Sequence, residues 1–335
     1  MSTDRRCEDP ARASTGSAGG RRTAGKKTLF RGWGPIIAIA AISLAVFLLY
    51  RTLSRYSLDE ITSSVMAIPK SRLIMSGAFA AASYTCLTGF DYLALRYVGR
   101  PLAYPKAALA SFTSLSLGHN IGLAFLSSGA IRYRFYSRWG LTAGEVAKVI
   151  LFCGATVGLG LATLGAMALL LRTELAQQIT GLERPIVLAA GWACLLAVAA
   201  YLVLAAMRCR PLRIYHWTFE VPPLRLAIAQ VIVGSCNFAF VAACLHQALA
   251  AVADVAYLGV ASIYVIANTA VLISHVPGGL GVIESVVMYF LPQADVIGPL
   301  VVFRFVYFLV PLALGGATLA VTELLFRRRN AARKN

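Results

Sequence analysis

The sequence predicts an all-α polytopic membrane protein with about six to eight transmembrane helices. Of its 335 residues, 59% are hydrophobic and 13% are charged, whereas a soluble domain carries about 25% charged residues. From Gly34 to Phe326 the charges stand in short clusters that separate long apolar runs. About 20 apolar residues cross the hydrocarbon core as a helix. Lipid offers the backbone no hydrogen-bond partners, so these runs are expected to be helical, and none shows the alternation typical of a barrel strand.

Three regions follow from this pattern. Residues 1–31, rich in Ser, Gly, Ala, Thr and Arg, are predicted to be a disordered basic cytoplasmic tail. Residues 32–328 are predicted to form the transmembrane domain, and 329–335 a basic cytoplasmic C-terminal tail. The first apolar run, 35–50, is not followed by a small-residue cleavage site, which favours a retained helix over a signal peptide.

The Lys and Arg distribution indicates which of the later runs cross the membrane, because cytoplasmic connections carry an excess of these residues. The runs are 73–95, 107–130, 146–171, 185–207, 225–250, 257–276, 280–291 and 299–326. If each long run crossed, twelve basic connecting residues would lie outside and five inside. If 107–130 instead turns back to the cytoplasm, eleven lie inside and six outside. A matching turn within 257–291 places both termini inside, so we predict six crossings and two re-entrant hairpins of opposite orientation.

Glycine and proline support breaks in these two hairpins, since both residues interrupt helices. The predicted break residues are Gly118, Gly129, Pro277, Gly278, Gly279 and Gly281. The segments Gly129-Ala-Ile-Arg132 and Gly281-Val-Ile-Glu284 are alike, which suggests an inverted repeat. Paired broken segments in two halves of a transporter indicate the substrate site. The alternative is a chance similarity of Gly-rich segments.

Charged groups within the apolar runs are candidates for binding. Insertion of an Arg at the centre of a membrane helix costs about 2.5–3.5 kcal/mol on insertion scales. Arg304 is therefore expected to have a partner inside the bundle, unless its side chain extends to the membrane interface. The planar guanidinium of Arg132 matches phosphate oxygens. Glu284 is expected to pair with Arg304 or Arg132, or to meet a cationic headgroup; a static ion pair is the alternative. Asp91 is expected to be a partner of Arg96 or Arg134.

Asn120, His275 and Arg134 complete the predicted substrate-binding set. No catalytic residues, metal site or cofactor are predicted, because the seven Cys and four His residues lack ligand spacing and no nucleotide or protease motif occurs. The net charge is +17, and the basic residues that produce it flank the apolar segments. It is therefore attributed to the positive-inside pattern rather than to nucleic-acid binding.

Three segments resemble the transmembrane region of the bacterial lysylphosphatidylglycerol synthase/flippase family, also called multiple peptide resistance factor. They are 118–142, His275-Val-Pro-Gly-Gly-Leu-Gly-Val-Ile-Glu284 and Phe303-Arg-Phe-Val-Tyr-Phe-Leu-Val-Pro311. The resemblance extends over about residues 34–326. It implies a flippase-like domain in the bacterial inner membrane that moves aminoacylated phosphatidylglycerol between leaflets. The family's cytosolic synthase domain is not expected, since the sequence ends at Asn335.

Carried over by position, the resemblance implies roles for Arg132, Arg134, Pro277, Gly278, Gly279, Glu284 and Arg304. The leading hypothesis is a lipid flippase whose partner is an anionic or aminoacylated phospholipid. The second is a non-transporting membrane partner of a separate soluble synthase or envelope enzyme. The third is a membrane-embedded transferase acting on a lipid headgroup.

Overall fold

The structure is a computed structural model that describes residues 59, 62, 63, 66, 68–121, 124–207, 212–214, 217–219, 221–292 and 296–332. The predicted N-terminal tail (1–31) and the predicted first crossing (35–50) lie outside these residues. The described chain is helical apart from one short pair of antiparallel strands, β1 (Leu212–Ile214) and β2 (Trp217–Phe219).

Eleven α-helices are described. The first six are α1 (Lys70–Tyr97), α2 (Tyr104–Ile121), α3 (Ala124–Arg138), α4 (Ala143–Leu171), α5 (Thr173–Thr180) and α6 (Arg184–Ala206). The others are α7 (Leu224–Leu249), α8 (Tyr257–Ser274), α9 (Val282–Phe290), α10 (Ile297–Arg304) and α11 (Val310–Ala332). A 3-10 turn (Pro277–Gly279) joins α8 to α9, and a π-helix (Phe305–Leu309) joins α10 to α11.

Six helical segments in the described part of the chain are long and apolar enough to cross a membrane, which confirms the predicted polytopic all-α class. They are α1, α4, α6, α7, α8 and the continuous segment 297–326. The helix starts follow local sequence. At α4, Thr142 Oγ1 accepts from the Glu145 N–H and Glu145 Oε2 accepts from the Thr142 N–H at 2.7 Å, which is a capping box. At α6, Pro185 stands in the first turn, where its missing N–H costs no intrahelical bond.

Contacts between helices define two ends of the bundle. Helices α1 and α7 are antiparallel, because Ser76 Oγ donates to the Cys244 carbonyl near one end and Ser83 Oγ donates to Asn237 further along. Helix α4 runs parallel to α7, since Gln230 donates to Thr156 at 3.0 Å. Their backbones then meet at Gly160, where an added Cβ would lie 2.8 Å from a Cα of α7.

We call the end at which α1 and α6 end and α4 and α7 begin the basic end. The C-terminal part of α11 also lies there, since Arg134 of α3 forms an ion pair with Glu323 of α11 at 2.6 Å. The opposite end holds the start of α1, the connections 172–183 and 250–256, the end of α9 and the start of α10. Among the described residues, the predicted inside group has Arg100, Arg138 and Arg225 at the basic end, and the predicted outside group has Lys70, Arg72, Arg172 and Arg184 at the opposite end.

Hairpin 1 consists of α2 and α3 and enters from the basic end. Its arms lie close together, because a Cβ added at Gly118 would lie 2.8 Å from the Ser128 Cβ. The prediction that Gly118 and Gly129 break the helices is wrong: Gly118 lies within α2 and Gly129 within α3. Their lack of a side chain serves packing instead, since a Cβ at Gly129 would lie 3.1 Å from Ile150.

Hairpin 2 consists of α8, the 3-10 turn and α9, and it enters from the opposite end. Helix α8 ends at His275, which has a left-handed backbone (φ 53°). Gly278, Gly279 and Gly281 also have positive φ, a conformation that glycine adopts without steric cost. An 18-residue helix such as α8 could cross a membrane by length alone. The turn nevertheless brings Gly279 against Val271 and directs α9 back along α8.

Helix α11 continues through Ala332, so four residues of the predicted basic tail 329–335 are helical. The buried core is formed mainly by α1, α2, α3, α4, α7, α8 and α10, so both hairpins contribute side chains to it.

Candidate functional site

The tips of the two hairpins meet inside the bundle. A Cβ added at Gly278 of hairpin 2 would lie 3.9 Å from Asn120 Oδ1 of hairpin 1. Asn120 Nδ2 donates to the Ser116 carbonyl at 2.9 Å and reaches the Phe308 carbonyl at 3.5 Å. We call this meeting point, formed by Asn120, Gly278, Gly279, Glu284 and Arg304, the tip junction.

Arg304 fastens hairpin 2 to α10. Its Nη1 donates to the Gly278 carbonyl at 2.8 Å and its Nη2 to the Gly279 carbonyl at 2.9 Å. Its Nε and Nη2 bind both carboxylate oxygens of Glu284, with the Nη2 bond at 2.7 Å. Glu284 in turn accepts from the Gly281 N–H at 2.9 Å. Four of the five guanidinium N–H donors are thus accounted for, and both charges are balanced within the bundle.

A π-helix follows Arg304 directly. The Val310 N–H donates to the Phe305 carbonyl, and this wider turn leaves neighbouring carbonyls for side chains. The Phe308 carbonyl meets Asn120, and the Tyr307 carbonyl accepts from Tyr84 at 3.4 Å. Single π-helical turns are frequent at functional sites, and this one lies beside both hairpin tips.

Hairpin 1 carries a second buried pair in which a guanidinium binds both oxygens of one carboxylate. We call each of these two pairs a fork. Arg132 Nε and Nη2 donate to the two carboxylate oxygens of Asp91 on α1, at 2.9 and 2.8 Å. Arg132 Nη1 also donates to Ser128 Oγ, and Tyr136 donates to Asp91 at 3.0 Å. The side chains of Arg132 and Asp91 are 3% and 0% exposed. The pair is fully desolvated, and its charges are stabilised only by each other and by these hydrogen bonds.

The two forks have opposite polarity. In hairpin 1 the hairpin supplies the cation, Arg132, and α1 supplies the acid. In hairpin 2 the hairpin supplies the acid, Glu284, and α10 supplies the cation. Arg132 and Glu284 are also the residues that end the two similar sequence segments. The inverted repeat itself stays a prediction, because Asp91 lies on the helix that precedes hairpin 1 and Arg304 on the helix that follows hairpin 2.

Arg134 lies apart from the tip junction. It is held at the basic end by Glu323, which also accepts from Arg138 at 3.0 and 3.2 Å. The Arg138 guanidinium lies 4.4 Å from the Phe326 ring centroid. These contacts join the outer part of hairpin 1 to the end of α11.

Buried polar side chains occur on two sides of α2. By helical spacing Thr113, Ser116 and Asn120 share one side, which ends at the tip junction, and Ser111 and Ser114 lie on the other. Ser111 donates to the Leu87 carbonyl, and Ser114 and Ser116 donate to carbonyls of α2 itself. No hydrogen bond is described for Thr113 Oγ1.

The structure therefore separates the predicted binding residues. It brings Asn120, Glu284 and Arg304 together at the tip junction and places Arg132 in the other fork. His275 is exposed, with Nδ1 2.9 Å from the Ile273 carbonyl. Asp91 is a partner of Arg132, not of Arg96 or Arg134 as expected. The sequence feature that points to this pair is the position of Asp91 within a predicted crossing, because a buried carboxylate requires an equally buried cation as its partner.

The fold and the tip junction define a multi-pass helical membrane protein with two opposed hairpins. No protein-family model matches the sequence. The chain is 31% identical over 308 residues to the uncharacterized protein slr0712 of Synechocystis sp. (strain ATCC 27184 / PCC 6803 / Kazusa), an alignment that covers 89% of this chain and 96% of that protein. It is 25% identical over 263 residues to the inner membrane protein YbhN of Escherichia coli (strain K12), with coverage of 76% and 81%. The chain belongs to the same family as slr0712.

The name of YbhN supports the membrane class, and neither relative's name specifies a substrate. The resemblance to the lysylphosphatidylglycerol synthase/flippase family therefore stays a prediction. So does the orientation with both termini in the cytoplasm, since the contacts describe two ends of a bundle and not the side of the membrane on which each lies.

Proposed function

We propose that this protein moves a phospholipid between the leaflets of a bacterial inner membrane. The location is supported by the name of YbhN. The observation that carries the proposal is the meeting of two hairpins, from opposite ends, inside the bundle. Broken segments of this kind surround substrate sites near the midplane in transporters. Aminoacylated phosphatidylglycerol is the substrate implied by the sequence resemblance.

The forks are central to the mechanism that we propose. A guanidinium binds a carboxylate or a phosphate with the same pair of N–H donors. In the hairpin 2 fork the Glu284 side chain is 15% exposed, against 4% for Arg304, so the acid is the accessible partner. The phosphate of an entering lipid replaces the Glu284 carboxylate on Arg304, and Glu284 is then released to face the headgroup or its ammonium.

This exchange would couple lipid binding to hairpin movement. If hairpin 2 moved away with no replacement anion, Arg304 would be left as a buried, uncompensated charge. Removing one partner from a buried ion pair costs about 3–5 kcal/mol. A phosphate that takes the place of the carboxylate removes this cost, so movement is favoured when lipid is bound. Thr113, Ser116 and Asn120, on the side of α2 that ends at the tip junction, would accompany the headgroup.

The test is headgroup accessibility in reconstituted vesicles that contain fluorescent phosphatidylglycerol, with a membrane-impermeant quencher outside. Arg304→Ala is expected to slow exchange between leaflets at least about tenfold, the loss expected for one charge-assisted bond. Arg304→Lys keeps the charge but loses the planar fork, and we expect an intermediate rate. Arg184→Gln, an exposed residue at the opposite end, is the control. Equal rates for wild type, both Arg304 variants and the control would refute the role of the fork.

The other two hypotheses stay predictions that a deletion strain distinguishes. Loss of a lipid species would indicate a headgroup transferase. Unchanged lipid totals with an altered leaflet distribution would indicate transport. A soluble partner that co-purifies with a chain that moves no lipid would indicate a membrane subunit of a separate synthase.

A further inference from the structure

A polar pocket of about 490 Å³ lies at the opposite end of the bundle, apart from the tip junction. It is lined by Arg72 of α1, by His246 near the end of α7 and by the segment 250–255 that follows α7. This volume is within the range of small-molecule sites, about 300–1,000 Å³. Its place at the helix ends puts it at the level of the lipid headgroups in a membrane.

The charges that line this pocket are arranged as a dipole. Arg72 lies in the first turn of α1, at the positive end of that helix's dipole. On the other wall the last turn of α7 ends beside the pocket, and Asp254, in the loop that leads on to α8, supplies the negative charge. The antiparallel packing of α1 and α7 brings these two unlike helix ends side by side. One wall therefore favours an anion and the other favours a cation.

Neither charge is used elsewhere in the described part of the chain. The five ion pairs among the described residues include neither Arg72 nor Asp254. His246 holds the wall in place, because its Nε2 lies 3.0 Å from the Val255 carbonyl and its ring packs edge-to-face on Tyr257. The loop thus has a defined shape while its charged groups remain open to a ligand.

We propose that this pocket binds a phospholipid headgroup that carries an ammonium group together with its phosphate. Arg72 and the start of α1 hold the phosphate, and Asp254 and the end of α7 hold the ammonium. The uncharged glycerol of phosphatidylglycerol would leave the Asp254 carboxylate without a positive partner. The site therefore discriminates between phosphatidylethanolamine and phosphatidylglycerol. The inference goes beyond the proposed transport, because it concerns a second, separate lipid site.

The experiment is native mass spectrometry of the purified full-length chain, incubated in detergent with equal amounts of phosphatidylethanolamine and phosphatidylglycerol. Wild type is expected to retain phosphatidylethanolamine preferentially. Asp254→Asn should reduce this preference about tenfold, as expected for one charge-assisted bond, while leaving phosphatidylglycerol retention equal or higher. Arg72→Gln should weaken retention of both lipids. The control is the double variant Glu183→Gln/Arg184→Gln, a cation and an acid exposed at the same end of the bundle.

Unchanged lipid selectivity in both pocket variants would overturn the proposal. A second arm uses soluble phosphoethanolamine, which offers the same two charges without acyl chains. If this probe binds with dependence on Arg72 and Asp254 and phosphatidylethanolamine does not, the lipid source is wrong. Retention is measured without a second leaflet, so this site and the proposed transport can fail independently.

Discussion

Replacement of Asp91 by Asn is expected to destabilise the bundle by about 3–5 kcal/mol, the cost of leaving one member of a buried ion pair uncompensated. The magnitude follows from the structure around Arg132. Both side chains are almost fully buried, and the Asp91 carboxylate accepts both bonds of the Arg132 fork together with one from Tyr136. An Asn at this position retains some hydrogen bonding but leaves the guanidinium charge without a counter-ion.

The assay is denaturant unfolding of the purified chain in detergent micelles, arranged as a double-mutant cycle. The double variant Asp91→Asn/Arg132→Met removes both charges, so it should be less destabilised than the sum of the single variants. Arg100→Gln, which removes an ion-pair partner that is 54% exposed, is the control and should show no measurable loss. A loss below about 1 kcal/mol for Asp91→Asn, or strict additivity in the cycle, would refute the reasoning.

Three further predictions concern packing and topology. Gly160→Ala should lower the unfolding free energy by about 1–3 kcal/mol because the added methyl meets the α7 backbone. Gly158→Ala is the control: a methyl there meets open space on the same helix, so this variant should be neutral or stabilising. Equal effects of the two substitutions would contradict the close crossing of α4 and α7. Gly118→Val should loosen the two arms of hairpin 1, seen as faster amide exchange near its tip; exchange as in wild type would contradict it. Single cysteines at Arg138 and Arg184 should be labelled from opposite sides of the membrane, with Arg138 labelled from the cytoplasm, and labelling of both from one side would contradict the two-ended topology.

The features predictable from sequence were those that depend on apolar length and on the cost of a charge in lipid. An interior partner for Arg304 is predictable because an isolated Arg within an apolar run is costly, and Arg304 is one of the two predicted partners of Glu284. The opposite entry of the two hairpins followed from the Lys and Arg distribution. Both arguments use free-energy terms that are large and independent of the detailed packing.

The features that sequence did not predict depend on contacts between distant residues. Asp91 and Arg132 are 41 positions apart in the chain, and no spacing rule joins them, so the sequence alone predicts Arg96 or Arg134 as the partner instead. Gly118 and Gly129 were assigned as breaks because glycine permits both helix interruption and close packing. Whether a glycine interrupts a helix or permits close packing depends on the residues packed against it, and the sequence does not show these contacts. The π-helix after Arg304 has no sequence signal that the prediction used.

The two forks differ in a way that assigns different roles to the two hairpins. Asp91 is wholly buried and bound by two side chains, and hairpin 1 has further ionic contacts to α11 through Glu323, so its displacement would break several desolvated bonds. Glu284 is partly exposed and lies on a nine-residue helix. The turn before it contains three glycines with positive φ, which can change backbone conformation at little cost. Hairpin 1 is therefore expected to remain fixed while hairpin 2 moves, and exchange of the anion on Arg304 is the step at which that movement would begin.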